Sequence, residues 1–210
     1  MKWIYREPPP EPNIDKWLDQ IGFSPLLAAG LWNRGLQSQE RLERFFRADS
    51  DSLLAPAMLG SEMKKAVTRL RQAFERQEKI VIFGDYDVDG TTAVALVYKF
   101  IQQFYSNIDY YIPDRYNEGY GVSTQGVDYA SETGVELIIV LDCGIKAVDE
   151  IAYAKEKGID FIICDHHLPA EEIPKAVAVL DPKRVDCSYP FDELSGCGVV
   201  RISEGRYFIE

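Results

Sequence analysis

Histidine and cysteine are scarce in this chain: two of the first and four of the second in 210 residues, and no apolar run approaches membrane length. Each scarcity removes a class of function. A membrane-spanning helix needs about 20 consecutive, mostly apolar residues, and charge interrupts every apolar run here well before that. The N-terminal MKWIYREPPP has no apolar stretch leading to small residues, so it does not read as a secretory signal, and a cytoplasmic address is expected. Cys143, Cys164, Cys187 and Cys197 form no CxxC pair, which sets aside a zinc knuckle in favour of reduced structural thiols. Neither a Walker-type GxxxxGKS/T loop nor a GxGxxG is present, so a nucleoside-triphosphate motor and a dinucleotide site are both unsupported. Basic residues are also few: 23 Lys and Arg stand against 34 Asp and Glu, a net charge of −11. A surface built mainly to hold nucleic acid neutralises phosphates with Lys and Arg, so a polynucleotide substrate needs a local patch or protein outside this chain.

What is present changes character along the chain. Pro8, Pro9 and Pro10 make the start an extended arm, followed by short apolar segments at 14–21 and 25–31. Leu42, Phe45 and Phe46 recur at near-helical spacing in 38–47, and Met63, Ala66, Val67, Leu70, Ala73 and Phe74 stripe a helix over about 61–77. Residues 1–77 therefore read as an arm and a small helical region. From residue 78 to 196, strand-like runs at 79–83, 108–112, 136–141, 160–164 and 176–180 alternate with helical stretches, including one opening at Gly90 and others near 123–133 and 146–157. That alternation predicts an α/β fold with a mainly parallel sheet and helices on both faces. Residues 197–210 show no helical stripe and read as a truncated or altered tail.

Three acidic clusters follow strand-like runs. In GDYDVDG (84–90), Asp85, Asp87 and Asp89 crowd one turn and repel one another unless a cation sits among them; a hard divalent ion binds such oxygens. Gly90 is expected to permit the tight turn, and Thr91 with the amides after it to offer a helix N-terminus to a phosphate oxygen. A calcium-type loop lacks its closing glutamate, since the twelfth position is Leu96. Asp142 ends the run Ile138–Leu141, and Asp165-His166-His167 follows Phe161–Cys164 and holds both histidines. Taken singly, a strand-end aspartate reads as a helix cap and a histidine pair as solvent-facing side chains on a polar turn. Converging at the carboxyl edge of one sheet, they describe a two-ion centre that activates water and stabilises charge on a phosphoryl group. Alternation along extended backbone points His166 and His167 in opposite directions, giving one to metal and the other to phosphate or proton transfer. In the loop Pro113–Gly121, Arg115 suits a phosphate contact, and Tyr116 or Tyr120 a stacked base.

Taken in order, these motifs resemble the DHH phosphoesterases, and within them the RecJ-type single-strand DNA exonucleases. GDYDVDG, PDRYNEGYG (113–121), Asp142-Cys-Gly, Asp165-His-His, Asp181-Pro-Lys and Leu194-Ser-Gly-Cys-Gly-Val all fall within the likeness, which runs from about residue 12 to about 200. The resemblance implies Asp87, Asp89, Asp142 and His166 as metal ligands, with His167 the further catalytic residue that contacts phosphate. Asp85 and Asp165 support them, and Arg115, Tyr120 and Thr91 contact substrate. It implies two Mn²⁺ or Mg²⁺ ions in the complete enzyme, 5′ to 3′ hydrolysis of single-stranded DNA, and replication or repair proteins as partners, with no membrane. Two departures stand out: Phe83 occupies a place where some relatives have histidine, and no later aspartate matches a further family ligand. The chain is accordingly expected to be an N-terminal portion with an incomplete site and weak activity. A short-oligonucleotide phosphodiesterase or pyrophosphatase, and a non-catalytic nucleic-acid-binding or scaffold protein of this fold, are the alternatives.

Overall fold

The structure, a computed structural model, describes residues 24–46 and 56–203; the expected proline arm, the segment at 14–21 and residues 204–210 lie outside them. The chain divides into two units, Met1–Leu53 and Leu54–Glu210. In the first, α1 (Pro25–Trp32) starts on Ser24, whose hydroxyl accepts the Leu27 amide with Pro at the first helical position. Helix α2 (Gln39–Phe46) begins after Ser38, which accepts the Arg41 amide. The second unit opens with a 3-10 turn (Pro56–Leu59) and α3 (Ser61–Arg76). The sequence division at 77/78 set α3 apart from the sheet; in the structure it belongs to the larger unit, because its apolar stripe of Met63, Ala66, Leu70 and Ala73 is buried in the core under the sheet.

That unit continues as β1 (Lys79–Gly84), α4 (Val88–Ile101), β2 (Ile108–Tyr111), α5 (Thr124–Glu132), β3 (Val135–Leu141), α6 (Val148–Glu156), β4 (Asp160–Cys164), β5 (Ala178–Leu180) and α7 (Gly196–Ser203). All five strands are parallel, in the order β2-β1-β3-β4-β5. Side chains alternate between two apolar layers: Ile80, Ile82, Leu137, Ile139, Ile162 and Leu180 face α3, α4 and α7, while Val81, Phe83, Ile138, Val140, Ile163 and Val179 face α5 and α6. Because both faces are covered, the central strands read as unbroken apolar runs rather than alternating ones. Phe83 lies in the second layer, stacked on Tyr111 with ring centroids 5.4 Å apart. The edge strand β5 is shielded by side chains: Glu62 accepts the Val179 amide and Arg184 donates to the Val179 carbonyl.

Three expectations change. The helix expected to open at Gly90 begins at Val88. The last strand is shorter than 176–180, covering Ala178–Leu180. Residues 196–203, read largely as a structureless tail, form α7, which buries Val199 and Val200; glycines and a short valine pair gave too little periodic signal to mark it. Among the described residues no helix is long and apolar enough to cross a membrane, and Cys143, Cys164, Cys187 and Cys197 form no disulfide.

Candidate metal centre

Chain order β1, then β2 on one side and β3 on the other, makes the crossovers leave the β1 and β3 carboxyl ends in opposite directions and opens a crevice there. Four strands deliver an aspartate to this edge: Asp85 after β1, Asp142 after β3, Asp165 after β4 and Asp181 after β5, each no more than 1% exposed. Asp87 caps α4, its Oδ1 accepting the Gly90 amide at 2.9 Å. Asp89 sits in the first turn of α4, where Oδ2 accepts the Gly196 amide at 2.7 Å and Oδ1 the Cys197 amide at 2.9 Å. Burial raises the Asp89 carboxyl, but the Cys197 amide and thiol and the Gly196 amide outweigh it and hold it below the usual range. Gly90 serves packing rather than the turn: a Cβ there would lie 2.5 Å from the Asp85 carbonyl oxygen.

Asp142 is the most constrained of these residues. Its backbone adopts φ +61°, a left-handed conformation uncommon outside glycine and tolerated by aspartate. Oδ1 stands 3.0 Å from His166 Nε2, which is 3.9 Å from Asp89 Oδ2. Burial, together with the charges of Asp89, Asp87 and Asp165, pushes the Asp142 carboxyl up to about 8. Helix α7 closes against it: a Cβ on Gly196 would lie 2.3 Å from Asp142 Oδ1. A buried carboxylate oxygen whose near partners among the described residues are an imidazole nitrogen and further carboxylates is satisfied by a cation or a proton. Carboxylate and imidazole together suit manganese, iron or zinc, and the carboxylates magnesium, so the donor set fits a divalent ion.

Asp165 organises the histidines. Its Oδ2 accepts the Ile145 amide at 2.9 Å; its Oδ1 accepts the amides of His166 (2.7 Å) and His167 (3.2 Å) and faces His167 Nδ1 at 2.7 Å. The expected opposite orientation of the two rings does not hold. Strand β4 stops at Cys164, the chain then turns about Asp165, and the ring centroids lie 4.6 Å apart. Ligand atoms of Asp142, His166 and His167 fall within 4.8 Å of one another. Asp85 lies beneath, its carboxyl raised by burial against the lowering effect of the Tyr86 and Gly121 amides.

The loop after β2 reaches the same crevice. Glu118 stakes it by accepting the Asp114 amide and the hydroxyls of Tyr111 and Ser123, and Asp114 Oδ1 accepts the Tyr116 and Asn117 amides. Arg115 is thereby placed 5.2 Å from the centre of the Tyr86 ring, inside the GDYDVDG motif. Tyr120 meets Tyr86 edge-on at 6.1 Å and puts its hydroxyl 3.1 Å from His167 Nε2, whereas Tyr116 is 94% exposed. The Thr91 hydroxyl donates to the Asp87 carbonyl at 2.6 Å, so its near-site position comes with a committed donor. Sequence reasoning passed over Glu118, the Gly196 and Cys197 amides, and Asp181 as a buried group; only the last carried a signal, an aspartate directly after an apolar run. Burial raises the Asp181 carboxyl to about 6.

Residues 79–204 match the DHH family, N-terminal domain. The chain is 40% identical over 199 residues to the single-stranded-DNA-specific exonuclease RecJ of Bacillus subtilis (strain 168), covering 95% of this chain and 25% of that protein. It is 39% identical over 182 residues to the enzyme of that name from Haemophilus influenzae, covering 86% and 31%. Among solved structures it is similar to exonuclease RecJ bound to manganese (TM-score 0.64, 28% identity, 72% of this chain and 38% of that one). It is also similar to RecJ in complex with Mn²⁺ from Thermus thermophilus (TM-score 0.65, 25% identity, 93% and 26%). The chain thus spans about a quarter to a third of the length of these curated relatives.

Proposed function

The chain belongs to the DHH family, and from that premise we propose that it is the metal-holding part of a 5′ to 3′ exonuclease acting on single-stranded DNA. The observation that carries this reading is the meeting of Asp87, Asp89, Asp142 and His166 at the carboxyl edge of the sheet, where the buried Asp142 carboxyl faces an imidazole nitrogen and other carboxylates. The names of the relatives, and the manganese in the two solved structures, support the substrate and the ion. Asp87, Asp89, Asp142 and His166 are the proposed ligands of Mn²⁺ or Mg²⁺, two ions in the complete enzyme. Bound there, the ions lower the pKa of water and offset charge on the phosphoryl group.

The remaining residues bind and orient. Arg115, held over Tyr86, takes a backbone phosphate, which positions the strand without reading its sequence. Tyr120 and the exposed Tyr116 flank the strand, Thr91 lies at its edge, and His167, fixed by Asp165, lies beside the phosphate. Asp85 supports the turn from below. The reading places the protein with DNA in the cytoplasm, where its thiols stay reduced, alongside replication or repair proteins.

Calorimetric titration of Mn²⁺ into the chain tests the centre. Saturable binding is expected, weakened at least 10-fold by Asp87→Ala and by Asp142→Ala, with folding checked by circular dichroism. Equal affinity in both variants would reject the site.

A further inference from the structure

We propose that Tyr120 is a positioning residue that divides the labour of the two histidines: its hydroxyl holds His167 Nε2, keeps His167 out of the cation's coordination shell, and leaves His166 as the imidazole ligand. The ligand half of this inference rests on the metal centre proposed above; the hydrogen bond does not.

The two rings are nearly side by side, and a ligand atom of each lies within 4.8 Å of the other's and of an Asp142 oxygen. Proximity alone therefore does not choose between them. Their hydrogen bonds do. Nδ1 of His167 faces Asp165 Oδ1 at 2.7 Å. That carboxylate already accepts three backbone amides, from Ile145, His166 and His167, so it acts as an acceptor and Nδ1 carries the proton. In a neutral ring Nε2 is then the lone-pair nitrogen, the one able to bind a cation, and it is the nitrogen that Tyr120 Oη meets at 3.1 Å. The phenol donates and Nε2 accepts. His166 has the opposite surroundings: its Nε2 looks onto Asp142 Oδ1 at 3.0 Å and Asp89 Oδ2 at 3.9 Å, where a cation is shared among acceptors.

Tyr120 is held in place from more than one side. Its ring meets Tyr86 edge-on at 6.1 Å and His167 at 6.1 Å, and its loop is staked by Glu118. Partners of this kind around a histidine set its tautomer and orientation. Losing the hydroxyl alone should free Nε2 and turn His167 into a competing ligand.

Because the chain has only two histidines, selective ¹⁵N labelling of histidine gives spectra of just two rings, assigned with His166→Gln. In the metal-free chain His167 is expected as the Nδ1–H tautomer. In Tyr120→Phe, which keeps the ring, the tautomer should persist while the Nε2 resonance moves downfield as its hydrogen bond is lost. On adding Zn²⁺ as a diamagnetic probe, only the His166 ring should respond in the parent chain, and both rings in Tyr120→Phe. A His167 Nε2 that binds zinc in the parent, or a Tyr120→Phe spectrum unchanged with and without zinc, overturns the proposal. If neither ring responds to zinc in either protein, the ligand role of His166 falls and the division of labour with it. The metal-free comparison still decides the Tyr120–His167 bond.

Discussion

Asp142 and Asp181 are carboxylates kept where water cannot reach them, at 1% exposure each. Burial is the leading cause that raises both, to about 8 and about 6. A folded-state pKa above the unfolded value means that the native chain binds more protons, so each group costs stability as pH rises from the ordinary carboxylate range toward its folded pKa. The carboxyls held low, Asp89, Asp128 and Asp186, act at more acidic pH, while Asp85, also raised by burial, works in the same direction as Asp142 and Asp181. In EDTA, thermal stability should therefore fall between pH 5 and pH 8. Asp142→Asn and Asp181→Asn should each reduce that fall, by at least about 1 kcal/mol at pH 8. Mn²⁺ should restore stability at pH 8 to the parent and to Asp181→Asn but not to Asp142→Asn. A parent chain equally stable at both pH values would show that these carboxyls are not raised.

Helix α7 is the element whose placement matters most for the site, because it closes over both Asp89 and Asp142, meeting Asp89 with two backbone amides and the Cys197 thiol. Its first amides satisfy Asp89, a pairing of carboxylate with helix N-terminus, and Gly196 leaves the space that the Asp142 carboxylate fills. Gly196→Ala sets a methyl group against that carboxylate, with backbone on one side and a buried strand end on the other, so neither can yield cheaply. We expect it to cost about 1–3 kcal/mol in urea unfolding and to weaken Mn²⁺ binding. Gly198→Ala is the comparison: its Cβ would meet the Leu194 side chain at 3.3 Å, a flexible group that can shift, and metal affinity should stay as in the parent. Equal metal affinity in the two variants would mean that α7 does not shape the centre.

At the scale of the molecule, charge sets what the chain can do unaided. With a net charge of −11 it has little long-range attraction for a polyanion, and four buried aspartates face the crevice where a phosphate would lie. Bound divalent ions reverse that local field. Fluorescence anisotropy with a labelled single-stranded oligonucleotide should therefore show weak binding in EDTA, strengthened at least 10-fold by Mn²⁺. Arg115→Ala should lower the Mn²⁺-dependent affinity for unrelated sequences alike. Binding that ignores Mn²⁺ would place the DNA elsewhere than at this centre.

Local patterns in the sequence determined the strand and helix order, the parallel sheet and the positions of Asp85, Asp142 and Asp165, because apolar runs ending in aspartate are visible one residue at a time. The motifs as a set carried the family resemblance. Tertiary structure alone decided which of these groups meet. It bent the chain after β4 so that the two histidine rings lie together, started α4 early enough to put Asp89 within reach of α7, and brought the Tyr120 hydroxyl to His167 across 47 residues of chain. It also turned a glycine-rich stretch with no periodic signal into the wall of the site. The physical reason is that backbone amides and hydroxyls bear no pattern of their own in a sequence. Their partners are set by packing between elements far apart along the chain, and that packing exists only once the sheet has formed.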